Sequence, residues 1–291
     1  MPTPPVADDL SESLLLTLID EAREFALYFL EGQKLIRDLA LIHPVQGAGF
    51  AYFREVVLSV QPMIALLKGN EQFGFYLDSE APYFRLKLET GHQGFSRCML
   101  LPEDFQEFPE NFTGQARVHK LYSDNRQPYQ SILQVKEQPL RQVVNQVLRD
   151  SYQVNSVVTV SGQSDQSAML HQLPPLPGKE EYEFSPEALE QRRREMEKGL
   201  SQVFSQALMG KEAVSSALQQ LGFRLLAERE VLFHCPCSKE QMIRNIHLVY
   251  AQEREGLFEA GQESLELVCE YCKTRYQISR GELEASGSPL N

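Results

Sequence analysis

Apolar residues recur with helical spacing from Leu14 to Leu41, which predicts one long helix, and again from Phe50 to Leu67, which predicts a second closed by Lys68-Gly69-Asn70. The period then changes to two. Phe73, Phe75 and Leu77 alternate with polar or small residues, as do Phe84, Leu86 and Leu88. Asp78-Ser79-Glu80-Ala81-Pro82 and Thr90-Gly91-His92-Gln93-Gly94 supply turns, so a meander is expected. A further strand is predicted near Ala116–Tyr122, a helix over Pro139–Arg149, and strands near Ser156–Ser161 and Ser167–Leu173. Strands and helices without regular βαβ alternation define an α+β class, with a sheet-and-helix domain at the N-terminal end.

The pattern changes again after the proline-rich stretch Leu173-Pro174-Pro175-Leu176-Pro177-Gly178. Ser185 is placed to cap a helix, Pro186 suits its first position, and Glu187 suits its positive end. Leu189, Met196, Leu200, Val203, Phe204 and Ala207 form one apolar stripe. Arg192-Arg193-Arg194 reads as its solvated face. Gly210 can end this helix. Lys211–Leu221 predicts a short second one, with Val214, Ala217, Leu218 and Leu221 apolar and Gly222 closing it. Charge marks the same boundary: residues 1–178 carry 21 acidic and 14 basic side chains, and no aspartate occurs beyond them. The chain is expected to divide into an N-terminal α+β domain (1–178), a charged helical linker (179–230) and a small C-terminal domain (231–291).

Composition narrows the partners. The 291 residues hold 28 Lys and Arg against 40 Asp and Glu, a formal charge of −12. Such a surface repels a phosphate backbone, so no nucleic-acid partner is expected. No apolar run reaches the roughly 18 residues of a membrane span, so no membrane association is expected either. Met1-Pro2-Thr3-Pro4-Pro5 lacks the basic and apolar regions of a secretory signal, which makes a cytoplasmic location the expectation.

The candidate chemistry lies near the C-terminal end. Cys235-Pro236-Cys237 and Cys269-Glu270-Tyr271-Cys272 are two close thiol pairs separated by 31 residues. In a reducing compartment such pairs read as metal ligands or redox centres before they read as structural disulfides. Four thiolates suit one tetrahedral Zn²⁺ per chain in a closed site, without a position for catalytic water. Lys239, Arg244, Lys273 and Arg275 are near enough in sequence to offset the negative charge. His234 and His247 are expected to be surface or supporting residues rather than ligands. One residue, not two, separates the first pair, and neighbouring thiols that lose their metal can oxidise. A bridge across so tight a ring is strained, and strained disulfides are the labile kind, so the constellation is a candidate redox switch. A tail of about sixty residues is near the lower limit for a self-sufficient core, so loss of the metal is expected to unfold it. Apolar surface uncovered by that event would bind other unfolded chains.

At these residues the sequence resembles the redox-regulated 33-kilodalton heat-shock chaperones, whose motif is Cys-x-Cys-Ser, about thirty residues, then Cys-x-x-Cys; here the first element is Cys235-Pro236-Cys237-Ser238. Ile64-Ala65-Leu66-Leu67-Lys68-Gly69, Gly114-Gln115-Ala116-Arg117-Val118, Asn125-Arg126-Gln127-Pro128-Tyr129-Gln130-Ser131 and Met169-Leu170-His171-Gln172-Leu173-Pro174 are similar to other parts of that family. Ser151-Tyr152-Gln153-Val154-Asn155-Ser156 stands where the family often has an acidic Ser-Glu-Gln element. The resemblance implies an ATP-independent cytoplasmic holdase of the stress response, with Zn²⁺ held by Cys235, Cys237, Cys269 and Cys272 in a reduced, inactive state. It further implies that oxidation forms the disulfides Cys235–Cys237 and Cys269–Cys272, releases zinc, unfolds tail and linker, and yields a homodimer that binds unfolding client proteins.

Two other readings compete. In one, the metal only staples a constitutive zinc-ribbon binding module. In the other, Cys98 is an enzymatic nucleophile with His92 as its base. Phe95-Ser96-Arg97-Cys98-Met99-Leu100 reads as a strand, where a buried inert cysteine is the ordinary expectation. The chain shows neither a phosphate-binding glycine loop nor a nucleophile elbow, and His43, His119 and His171 are scattered. It is not expected to be an enzyme.

Overall fold

A computed structural model describes residues 10–286 apart from 23, 44, 104–107, 123–125, 176, 178–183, 207–209, 253–256 and 259–260. The expected boundary at 178, the stripe residue Ala207, Asn125 and the first five residues lie outside that set. The chain forms two compact units that meet between Phe233 and His234.

The first unit opens with strands β1 (Leu14–Asp20) and β2 (Phe25–Glu31), and helix α1 starts only at Gln33–Ile42. The long helix expected from Leu14 to Leu41 is therefore a hairpin followed by a helix. The reason lies in the two faces of the sheet. Leu15 and Leu30 enter one core, whereas Leu16, Leu18, Leu27 and Phe29 enter another. A strand buried on both faces loses its period-two signature and cannot be told from a buried helix by pattern alone. Helix α2 (Gly47–Val60) then runs into a 3₁₀ turn (Gln61–Leu66), within the expected second helix.

The expected meander is β3 (Gln72–Glu80), β4 (Tyr83–Gly91) and β5 (Phe95–Leu101); β6 (Phe112–Leu121), the further strand expected near Ala116–Tyr122, returns to pair with β3, and β7 (Tyr129–Gln138), which the pattern did not predict, pairs with β6. After it come α3 (Leu140–Asp150), β8 (Ser156–Val160) and β9 (Gln166–Gln172). Segment 179–230 contributes α4 (Pro186–Ser205), α5 (Lys211–Gln220) and β10 (Phe223–Glu230), and β11 (Leu232–Phe233) ends the unit. Two sheets result. One has the order β10-β1-β2-β9-β8 and is antiparallel throughout; the other has the order β11-β5-β4-β3-β6-β7, in which only the β11–β5 pair is parallel.

Helices α1–α3 share a core with the inward face of the six-stranded sheet, through Phe53, Val57, Val143 and Val147 packed with Phe73, Phe75, Leu86 and Val118. Helices α4 and α5 cover the other face of the five-stranded sheet. Leu189, Met196, Leu200, Val203 and Phe204 of the expected stripe are all buried there, and Phe204 stacks on Phe29 at 5.9 Å. Ser185 caps α4 as expected, accepting a hydrogen bond from the Ala188 amide at 3.1 Å. The arginine run is not uniformly solvated. Arg193 and Arg194 pair with Glu190, but Arg192 lies over the Phe223 ring at 5.2 Å and donates to the Leu221 carbonyl.

The chain leaves β10 by crossing the β4–β5 turn. Gly94 there has φ 92°, and a Cβ on it would lie 2.0 Å from the Glu230 carbonyl oxygen, so no side chain fits. Leu232 donates its amide to the Gly94 carbonyl, and two residues later the second unit begins.

The second unit contains α6 (Lys239–Gln252), the hairpin β12 (Ser264–Val268) and β13 (Arg275–Ser279), and α7 (Arg280–Ser286). Among the described residues its apolar core is Phe258, Ile278 and Leu283, with flanking side chains such as Met242, Leu267 and Tyr276. Ser279 and Glu282 form a reciprocal cap at the start of α7, and Ser238 caps α6. No described helix is long and apolar enough to cross a membrane.

Candidate metal centre

The four tail cysteines come from two loops. Cys235 and Cys237 lie in the extended stretch before α6, while Cys269 and Cys272 lie in the loop joining β12 to β13. That loop is a tight knuckle: Lys273 donates its amide to the Cys269 carbonyl at 2.8 Å, and Cys269 donates to the Thr274 carbonyl at 2.9 Å. Closing it places Lys273 at φ 57°, unusual for a residue with a side chain. The register of the hairpin, with Val268 opposite Arg275, brings both ends of the knuckle together.

All four sulfurs lie within 4.8 Å of one another. Sulfurs around a tetrahedral zinc, each about 2.3 Å from the metal, are about 3.8 Å apart, so the donor set fits a four-thiolate ion site. The four-thiol cluster is made of Cys235, Cys237, Cys269 and Cys272. None of the five cysteines is disulfide-bonded. Contacts between the two motifs include Cys237 to Cys272 at 3.3 Å and Cys235 to Cys269 at 3.8 Å.

The sulfurs have unequal surroundings. Burial pushes the Cys237 thiol up to about 12, against the opposing hydrogen bond of Tyr276. Burial also raises Cys269, the most enclosed of the four. At Cys272 the same burial is outweighed by the Thr274 hydroxyl and amide and by the neighbouring sulfurs, which bring it down to about 7. Cys272 thus ionises more readily than Cys237 or Cys269. Of the bases expected to offset the cluster's charge, three are engaged by carboxylates: Lys239 with Glu282, Lys273 with Glu270 and Arg275 with Glu266.

Two hydroxyls beside the cluster were not singled out by sequence reasoning. Tyr276 Oη lies 3.1 Å from Cys237 Sγ, and Thr274 Oγ1 lies 3.2 Å from Cys272 Sγ. Their nearness to Cys272 in sequence was the available signal. Cys98 lies far from this chemistry in character: it is 0% exposed within β5, and burial raises its thiol well above the usual range, so it is a core residue and not a nucleophile.

A two-unit α+β protein whose small C-terminal unit gathers four thiols into one potential ion site is the class these features define. The chain belongs to the Hsp33 family, whose sequence profile, described as Hsp33 protein, matches residues 13–279. A 33 kDa chaperonin of Shewanella loihica is 28% identical over 169 residues, covering 58% of this chain and 57% of that protein. A 33 kDa chaperonin of Lactobacillus delbrueckii subsp. bulgaricus is 22% identical over 289 residues, covering 93% and 96%. The match to the Shewanella relative therefore spans little more than half of its length, and that to the Agathobacter rectalis 33 kDa chaperonin 36%. The crystal structure of the Thermotoga maritima 33 kDa chaperonin superposes with a TM-score of 0.72 at 14% identity, over 94% of this chain and 97% of that one. This likeness shows the fold.

Proposed function

We propose that the protein is a redox-regulated, ATP-independent holdase whose four-thiol cluster is its switch. The observation that carries the reading is the convergence of Cys235, Cys237, Cys269 and Cys272 in a unit whose apolar core is small among the described residues. In the reduced state these four residues would hold one Zn²⁺, which supplies a cross-link between the two loops. Metal binding in small modules contributes on the order of 10–16 kcal/mol of folding free energy, comparable with the whole stability of a typical domain.

Oxidation to Cys235–Cys237 and Cys269–Cys272 disulfides, the pairing the family resemblance implies, would consume all four ligands. Each bridge would join sulfurs that already lie within 4.8 Å of each other, and the loss of all four ligands couples the chemistry to disruption of the tail. Segment 179–230 would then act as the gate: undocking α4 and α5 would uncover Leu16, Leu27 and Phe29 of the five-stranded sheet, an apolar surface suited to unfolding client proteins. A homodimer in the oxidised state and a cytoplasmic, reducing setting complete the reading.

The deciding experiment pairs metal release with client protection. Reduced, zinc-loaded protein is treated with peroxide or hypochlorite at raised temperature, and freed Zn²⁺ is read with a chromogenic chelator. The same samples are assayed for suppressing aggregation of an unfolding protein. Release together with gained protection is the expected result. Release without protection would leave a constitutive structural zinc module and remove the holdase reading.

A further inference from the structure

Tyr276 sits in β13 opposite Leu267, and its ring packs with the small core of Phe258, Ile278 and Leu283. From that anchored ring the hydroxyl reaches Cys237 twice, 3.1 Å from Sγ and 3.2 Å from the backbone carbonyl. A phenol has one proton, so it donates to the sulfur or to the carbonyl; in both cases the Cys-x-Cys loop is tied to the hairpin. We infer that Tyr276 is a positioning residue of the thiol centre, whose hydroxyl holds Cys237 in place and restrains its sulfur from reacting with oxidants. The inference rests on reading the four cysteines as an oxidant-responsive thiolate centre.

A thiolate that accepts an O–H hydrogen bond has part of its electron density engaged, and it attacks electrophiles more slowly. Hydrogen peroxide oxidises such a centre in two steps. One thiolate gives an electron pair to a peroxide oxygen, the O–O bond breaks, the sulfur becomes a sulfenic acid, and the departing hydroxide takes a proton to become water. A second thiolate then attacks that sulfur, the S–S bond forms, and the sulfenic hydroxyl leaves with a proton as a second water. Tyr276 opposes the first step wherever Cys237 performs it. Since the ring is seated in the core of the second unit, loosening that core withdraws the hydroxyl and frees the sulfur. The restraint thereby links packing to reactivity.

The test uses full-length, reduced, metal-loaded protein and the variant Tyr276→Phe, which keeps the ring and removes only the hydroxyl. Each protein is treated with iodoacetamide, and modification at each cysteine is followed by peptide mass spectrometry. Cys237 should react about three- to tenfold faster in the variant, the factor one hydrogen bond governs, with Cys269 changed less than about twofold. In cobalt-loaded protein the thiolate-to-metal absorption should also shift in the variant, because Cys237 loses the hydroxyl at 3.1 Å while the ring stays seated. Equal acceleration at all four cysteines, or an unchanged Cys237, would overturn the inference. Should metal release bring no client protection in the wild type, the holdase reading falls, yet the Cys237-to-Cys269 ratio still decides the role of Tyr276.

Discussion

The two units hold their shape by different means. The first buries long apolar side chains on both faces of its five-stranded sheet, so residues as distant as Leu15 and Val147, or Phe29 and Phe204, share continuous cores. The second has three buried apolar side chains among its described residues, and its remaining order comes from caps, a hairpin and exposed ion pairs such as Lys239–Glu282. Exposed pairs of this kind contribute at most about 1 kcal/mol each. What converges in the second unit is chemistry: four sulfurs within 4.8 Å. The difference teaches that the first unit's fold follows from burial, whereas the second sets a four-thiol cluster beside a small described core, which is why the proposed switch belongs there.

The largest expected effect breaks the second unit alone. Replacing Cys269 and Cys272 by Ser, or removing metal with a strong chelator, should abolish tight zinc binding and eliminate slow amide exchange in residues 234–286, a loss on the order of 10 kcal/mol. Exchange in β1, β2 and β9 should stay slow. Retained protection in the tail after metal removal would show that its small core suffices.

The converse test is Phe204→Ala. It leaves a cavity against Phe29 and should cost about 3–5 kcal/mol in urea unfolding of the first unit, with no change in zinc content. Loss of metal in this variant would mean that the two units are not separable in this sense.

A third, pH-dependent effect also belongs to the first unit. Burial raises the Glu31 carboxyl to about 7, despite the hydrogen bond from Gln166 that opposes the shift. The folded state therefore binds this proton more tightly than the unfolded chain. Its contribution is fully present below about pH 4.5, falls as pH rises, and is lost above about pH 7. Glu31→Gln should flatten that arm and exceed the wild type by about 2–3 kcal/mol at pH 8, while matching it near pH 4. Parallel stability curves for the two proteins across this range would refute the assignment.

The smallest effect sharpens the description of the knuckle. Lys273 holds φ 57°, a conformation glycine adopts without strain, but its ammonium pairs with Glu270 at 2.7 Å. Lys273→Gly should shift tail stability by no more than about 1 kcal/mol and leave zinc affinity intact, as read by chelator competition.

Much of the candidate site was legible in the residues alone. The spacing of Cys235, Cys237, Cys269 and Cys272 requires only that two loops meet, and thiol pairs one or two residues apart can face a shared ion almost irrespective of what surrounds them. The alternation of Phe73, Phe75 and Leu77 with polar neighbours likewise marked β3, since one face of that sheet is charged, and Ser185 and Pro186 marked the start of α4 because caps are local. The triple arginine shows where such reasoning stops. Nothing nearby in sequence distinguishes Arg192 from its neighbours, yet the fold sets it over Phe223, thirty-one residues away.

The sequence by itself thus determined the class of the protein, its helix caps, its alternating strands and the four-thiol motif, all features set by local spacing. Tertiary structure alone decided that Leu14–Glu31 is a hairpin, because burial on both faces erases the strand period that pattern reading depends on. It also decided that β10 completes a sheet with β1, a pairing of residues some two hundred positions apart, and that the Tyr276 hydroxyl meets Cys237 across the second unit. These contacts join segments whose proximity no local periodicity encodes.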